Sequence, residues 1–315
     1  MQKFQSENQP EDVRLNKYIS DAGVCSRREA DRLITEGRVQ IDGKPATLGS
    51  RVVPGMQVCV DGKNITPEEE MILLAVNKPR GIVCTTDTRW GDRTIYDLMN
   101  YPKRIFSIGR LDKESEGLLL MTNNGDILNK IMRAGNYHEK EYVVTIDKPV
   151  TEAFLKKISG GLYLKELEVR TRPCKVSAVD EFTFRIILTQ GLNRQIRRMC
   201  AACGCQVTSL KRVRIMNIEL GSLESGVYRN VTQEEYTVLL KALKDSTNPG
   251  EHQRHMPSFQ NPKRGNLFFS EAKELTGKSH RKKEMFQAAT VKRNSRTENN
   301  KPENNKKQEK RREPR

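Results

Sequence analysis

No stretch of this sequence carries enough consecutive apolar residues to cross a bilayer, and the opening Met1-Gln2-Lys3-Phe4-Gln5-Ser6-Glu7 lacks the hydrophobic core of a secretory signal. The expected compartment is the cytoplasm, with no membrane partner. A disulfide framework is missing too: seven cysteines, an odd number scattered from Cys25 to Cys205, suit a reducing environment. Cys200, Cys203 and Cys205 lie close together, but no second Cys or His cluster completes the four soft ligands of a structural zinc site. They read as small buried hydrophobes, and no metal is expected. Acidic residues are in deficit, 40 Asp and Glu against 56 Lys and Arg, for a formal net charge of +16. The excess is uneven. Residues 249–315 hold 18 basic and 8 acidic side chains, which is +10 and leaves +6 for the rest. A basic chain draws polyanions because phosphate neutralisation releases counterions, so nucleic acid is the leading partner class.

The residues that are present fall into blocks. Residues 1–12 are polar and expected to be flexible. Residues 13–62 form a compact unit. Leu15, Tyr18, Ile19 and Ala22 recur at helical spacing up to Gly23, and Ser26-Arg27-Arg28-Glu29 reads as a capping box opening a second helix with Ala30, Leu33 and Ile34 on its apolar face. Gly37 ends it. Val39-Gln40-Ile41 then reads as a strand, Asp42-Gly43 as a hairpin turn and Val58-Cys59-Val60 as a later strand. Lys17, Arg27 and Arg28 cannot share the apolar face and are expected to present charge outward. Residues 63–71 read as a linker.

Residues 72–245 alternate strand and helix signals without low complexity, which suits a single α+β domain. Strands are predicted at Leu73 to Val76, Tyr142 to Ile146 and Phe182 to Thr189. Thr151 and Thr232 are predicted helix caps, and a basic helix is predicted from Arg194 to Cys203, stopped by Gly204. Residues 246–315, rich in Lys, Arg, Asn, Glu and Pro without apolar periodicity, read as a disordered basic tail.

The segment Gly109-Arg110-Leu111-Asp112-Lys113-Glu114-Ser115-Glu116-Gly117 lies between two apolar runs, Ile105 to Ile108 and Leu118 to Met121. These read as buried strands that hold the intervening loop on rigid supports, the usual setting for a catalytic group. With residues 110–112 extended, Arg110 and Asp112 point to one side, where a guanidinium would keep the carboxylate ionised. Taken alone, an Arg-x-Asp pair is most often an exposed, energetically neutral contact. Tyr142 taken alone is most often strand packing, and the arginine-rich segment Gly191-Leu192-Asn193-Arg194-Gln195-Ile196-Arg197-Arg198 an exposed basic face.

Their order along the chain changes that reading. Residues 14–60, from Arg14-Leu15-Asn16-Lys17-Tyr18 through Gly37-Arg38-Val39-Gln40-Ile41-Asp42-Gly43-Lys44, resemble the S4 RNA-binding domain. Behind them come Asn77-Lys78-Pro79-Arg80-Gly81, the Asp112 segment, Lys140-Glu141-Tyr142 and the segment around Arg197. This series is similar to that of the pseudouridine synthases, in the branch typified by the small-subunit enzyme. His138 to Tyr142 and Leu210 to Asn217 look most like the large-subunit type F group. The resemblance implies an S4 domain followed by a catalytic domain with a mixed, mainly antiparallel sheet. It implies Asp112 as the catalytic aspartate, Tyr142 against the target base as a proton acceptor, and Arg197 as the basic partner of the aspartate. Arg110, Leu111, Lys113, Leu192, Asn193, Arg194 and Gln195 should contact RNA around the site, with Lys17, Arg27 and Arg28 doing so from the S4 unit. The isomerisation implied needs no cofactor. The expected substrate is structured RNA, a stem-loop of large-subunit (23S) rRNA, with a tRNA anticodon arm as the alternative, and the family's usual state is a monomer. A non-catalytic S4-type binding or assembly factor is the competing reading.

Overall fold

The computed structural model describes residues 12–246 except 69, 88 and 90. The N-terminal segment expected to be flexible, apart from its last residue, and nearly all of the expected tail lie outside the described residues.

The N-terminal unit is a helical hairpin packed on a small antiparallel sheet. Helix α1 (Leu15–Asp21) and helix α2 (Arg27–Thr35) bury Leu15 and Ile19 against Ala30, Leu33 and Ile34. Ser26 caps α2 by accepting the Glu29 N–H at 3.2 Å, a bond typically worth about 1 kcal/mol. The reciprocal half of the expected capping box is replaced, because the Glu29 carboxylate turns outward to Arg32. Strands β1 (Val39–Ile41), β2 (Lys44–Pro45), β3 (Val58–Val60) and β4 (Lys63–Ile65) pair in the order β2-β1-β3-β4. Asp42 and Gly43, both at positive φ, make the predicted hairpin turn. Asp61 and Gly62 make a second one, so residues 63–65 are a sheet strand and not the start of a linker.

The second part is built on a nine-stranded mixed sheet. Its strands are β5 (Leu73–Lys78), β6 (Phe106–Ile108), β7 (Glu116–Thr122), β8 (Lys140–Ile146), β9 (Lys175–Ala178), β10 (Thr183–Leu188), β11 (Val207–Ile215), β12 (Ile218–Glu219) and β13 (Tyr228–Asn230). The main path runs β9-β10-β8-β11-β7-β5-β13, with β12 on β11 and β6 on β7. Every pairing is antiparallel except β11 with β7, which is parallel.

Strand alternation separates the cores. Leu73 and Ala75 of β5, with Leu118 and Leu120 of β7, face α4 (Gly125–Met132) and α7 (Gln233–Leu243). Leu74, Val76, Leu119 and Met121 face the opposite way, toward α3 (Ile95–Met99) and Leu111. Both faces of these central strands are covered, which explains why they read as continuous apolar runs. A third core joins β8 and β10 to α5 (Glu152–Ser159) and α6 (Gln195–Ala202) through Val144, Phe184, Ile186 and Met199. Tyr142 is packed against two of these cores, at the seam where the halves of the sheet meet. Among the described residues no helix is long and apolar enough to cross a membrane.

Candidate active site

Asp112 stands on the loop between β6 and β7, and the loop is fixed from below. Gly109, at φ +77, turns the chain out of β6. The Ser115 N–H then returns to the Asp112 carbonyl at 3.0 Å, and the Gly81 N–H donates to the Lys113 carbonyl at 2.7 Å. Lys78, fully buried at the end of β5, donates its ammonium to the carbonyls of Ser115 and Pro79 at 2.7 and 2.8 Å. Burial lowers its pKa, and the nearby acidic side chains oppose that shift. The Asn77-Lys78-Pro79 motif therefore acts as a fastener for the loop that carries the carboxylate.

The carboxylate meets arginines from elsewhere in the chain. Its Oδ2 lies 3.5 Å from Arg194 Nη1 and 3.8 Å from Arg197 Nε. Arg110, the partner expected from alternation, is exposed and forms no ion pair with Asp112 among the described residues. Arg197 is held in place by three acceptors: the Val207 carbonyl at 3.2 Å, the Glu114 carbonyl at 3.3 Å and Ser115 Oγ at 3.4 Å. Its buried Nε has no hydrogen-bond partner and stands next to the Asp112 oxygen. Burial lowers the Arg197 pKa, with Arg194 adding to the effect and Asp112 opposing it, yet a guanidinium stays charged at any physiological pH. Arg194 adopts a left-handed backbone at φ +49, the kind of strain that persists where surrounding bonds hold it. Here the Gln195 side chain holds the preceding turn by accepting the Leu192 N–H at 3.0 Å.

Asp112 opens onto a cavity of about 550 Å³, large enough for a nucleoside. Arg110, Leu111, Lys113 and Tyr142 line it from one side, and the turn from Leu192 to Gln195 from the other. Leu111 and Gln195, two of the expected RNA contacts, line the cavity from largely buried positions. Leu111 is a core residue showing only an edge, and Gln195 is 4% exposed, its amide oxygen accepting the Leu192 N–H and its nitrogen facing Met199 Sδ. Lys113 lies on the rim, its ammonium 2.7 Å from Asp92.

In the N-terminal unit Arg27 and Arg28 are exposed at the start of α2. Lys17 is not on that free basic face. Its ammonium is paired with Asp21 one turn on, and it reaches Asp126 of α4 at 3.3 Å, so its charge ties the unit to the catalytic sheet. Cys200 and Cys205 are buried, and Cys205 Sγ donates to the Cys200 carbonyl at 3.2 Å. Burial raises both thiol pKa values. Among the described residues no group of three or more His, Cys, Asp or Glu side chains could hold a metal.

Two features of the site were absent from the sequence reading. Lys140 and Arg212 are buried cations lining the same cavity. Gly117, at φ +100, lets β7 pass against β11 at Arg212. The sequence signal for both is slight, since charged residues in an alternating strand read as its solvated side.

Comparison with known proteins agrees with this geometry. Residues 13–58 match the S4 domain, and residues 72–202 match the RNA pseudouridylate synthase family. The dual-specificity RNA pseudouridine synthase RluF of Escherichia coli strain K12 is 52% identical over 238 residues, which cover 75% of this chain and 81% of that protein. The ribosomal large subunit pseudouridine synthase B of Bacillus subtilis strain 168 is 36% identical, over 74% of this chain and 97% of its own length. A crystal structure of a pseudouridylate synthase superposes with a TM-score of 0.55 at 32% identity, covering 72% of this chain and 99% of the other. Two domains matched in tandem, over most of the length of such relatives, lead to one assignment: the chain belongs to the RNA pseudouridine synthases as an S4-bearing, RluF-like member, an enzyme that isomerises uridine in RNA.

Proposed function

We propose that Asp112 is the catalytic aspartate of this isomerisation, that Tyr142 packs against the target base and serves as a proton acceptor, and that Arg197 with Arg194 pairs with the carboxylate and positions it. The observation that carries this reading is the position of the Asp112 carboxylate, at a nucleoside-sized cavity and within 4 Å of two guanidinium groups. A carboxylate fixed there can attack a ribose carbon or take a sugar proton. A uridine must leave its stack to reach this depth, at a cost of roughly a few kcal/mol that phosphate contacts and base packing can offset. The exposed Arg110, Asn193 and Arg194 around the opening suit the flanking backbone, and Arg27 and Arg28 suit a more distant part of the same RNA.

The substrate proposed is a stem-loop of 23S rRNA. A relative named for the ribosomal large subunit supports it. The term dual-specificity in the names of relatives just over 50% identical favours a second RNA, for which a tRNA anticodon arm is the candidate. The reaction is a redox-neutral rearrangement within one nucleotide, and the enzyme is proposed to work in the cytoplasm as a monomer without a cofactor. Carbodiimide-dependent primer extension on rRNA and tRNA, from cells with and without the gene, tests the targets. Loss of a stop in 23S rRNA is expected, and loss in tRNA alone would refute the rRNA assignment.

A further inference from the structure

Lys140 and Arg212 share the cavity with Asp112, and among the described residues neither forms an ion pair. Lys140 opens β8 and is 7% exposed; Arg212 lies in β11 and is 2% exposed. Tyr142 pairs directly across from Arg212, and Lys140 is two residues from Tyr142 on its strand, so the three side chains emerge on one face. All three line the cavity. The Arg212 guanidinium, 6.0 Å from the Tyr142 ring centre, gives Nε to the Leu118 carbonyl at 2.7 Å and leaves Nη2 buried with no partner. The Lys140 ammonium makes one long contact, 3.5 Å to the His138 carbonyl. Two other cations of this sheet are satisfied. Arg214, on the same strand as Arg212, binds Glu139 and Glu141 at 3.0 and 2.8 Å, and Lys78 binds two carbonyls.

Two buried like charges with no ion-paired carboxylate destabilise the fold, since each ion is desolvated and repels the other. Burial and Arg212 together lower the Lys140 pKa to about 8. An anion entering the cavity relieves both penalties.

We propose that Lys140 and Arg212 form the anion site that holds the uracil base while it is detached from the ribose. When the N1–C1′ bond breaks, both of its electrons leave with N1. The base becomes uracilate, with charge shared over N1, O2, O4 and C5. Cations beside the ring oxygens stabilise this anion and keep it in the cavity as it turns. C5 then attacks the same ribose carbon and the C1′–C5 bond forms, as the C1′–O bond to Asp112 breaks in one route or the abstracted sugar proton is returned in the other; the proton on C5 is lost to a base and N1 takes up a proton, so atoms and electrons balance as an isomerisation. Attack of Asp112 on the ribose carbon and removal of a sugar proton both release an anionic base, so the site serves either route. The proposal rests on the uridine occupying this cavity. Fixed donors facing developing charge in a water-poor site commonly account for about 10²- to 10³-fold in rate.

The test uses the full-length enzyme and a stem-loop RNA labelled with tritium at uridine C5, comparing wild type with Lys140→Met, Lys140→Arg and Arg212→Met. The groups facing Lys140 are Arg212 from β11, Tyr142 and His138 on its own segment, and Asp112 and Arg194 across the cavity. Lys140→Met is expected to slow single-turnover tritium release by about 100-fold or more while RNA affinity stays within about threefold. Wild-type kcat/KM is expected to fall as pH rises through about 8, and Lys140→Arg to remove that fall while restoring at least a tenth of the rate. A wild-type rate in Lys140→Met, or a loss of rate matched by an equal loss of RNA affinity, would overturn the proposal. If Arg212→Met does not fold, the Lys140 pair decides alone. A wild-type enzyme that binds the RNA and releases no tritium refutes the uridine site itself, and the proposal with it.

Discussion

Gly117 and Arg212 lie in backbone contact: a Cβ placed on Gly117 would stand 2.2 Å from the Arg212 carbonyl oxygen and 2.8 Å from its nitrogen. This is where the parallel pair β7 and β11 starts, and Gly117 is the second residue of the strand that follows the Asp112 loop. Because the obstacle is backbone and φ is +100, no side chain can be accommodated by a rotamer change. Gly117→Ala should lower stability by about 1–3 kcal/mol and displace the loop. Chemical denaturation and tritium release measure the two effects, and a variant equal to wild type in both would show that the strands separate freely here.

Arg197→Lys tests the fork that holds the Asp112 carboxylate. A lysine cannot reach the Val207 carbonyl, the Glu114 carbonyl and Ser115 Oγ while also facing Asp112. The rate constant for tritium release should fall by about 10- to 100-fold, with RNA affinity changed by less than about threefold. An equal reduction in affinity would place Arg197 on the RNA and not behind the carboxylate.

Stability should depend on pH through Lys140. Its pKa is about 8 in the folded enzyme and returns to about 10.4 on unfolding. Between those values the unfolded chain binds more protons, so stability rises with pH from about 8 and levels off near 10.4. The full change is up to about 3 kcal/mol, and buried Lys78 acts in the same direction. Lys140→Met should therefore be more stable than wild type at pH 7, with the difference closing by about pH 10. Denaturant midpoints across this range measure it, and a variant that is less stable at pH 7 contradicts the unneutralised charge.

Arg27→Ala with Arg28→Ala removes charge from the exposed start of α2, outside the cavity that Asp112 lines. Affinity for RNA should fall, and the slope of log K against log salt should shrink by about one for each phosphate that is no longer neutralised. At saturating RNA, the tritium-release rate should stay within about twofold of wild type. A changed rate at saturation would mean the S4 unit orients the substrate as well as holding it.

Much of this arrangement is legible in the sequence. Asp112 stands out because two apolar runs frame its loop, and those runs are strands β6 and β7. The helices at Arg27, Thr151 and Thr232 are readable from caps that do form hydrogen bonds. Local pattern misleads on the partner of Asp112. Period-two alternation favours Arg110, but helix α6 with its preceding turn supplies the cations that pair with Asp112, from more than 80 residues away. Only the resemblance pointed to Arg197. Lys140 and Arg212 are hidden for a related reason. Leu210-Lys211-Arg212-Val213-Arg214-Ile215 reads as a strand with a solvated charged side, and nothing local says that Arg212 is enclosed by β8 and β7 on either flank. Lys17 misleads in the opposite sense, since a charge on an exposed-looking helix face is taken up by Asp126 of a distant helix.

The most direct measurement is tritium release by Asp112→Asn from a C5-labelled RNA stem-loop, alongside its RNA affinity. Asparagine keeps the side-chain shape while removing the charge that faces Arg194 and Arg197. With Asp112 as the catalytic aspartate, no release should be detectable while RNA binding is retained. Release at the wild-type rate would contradict that role.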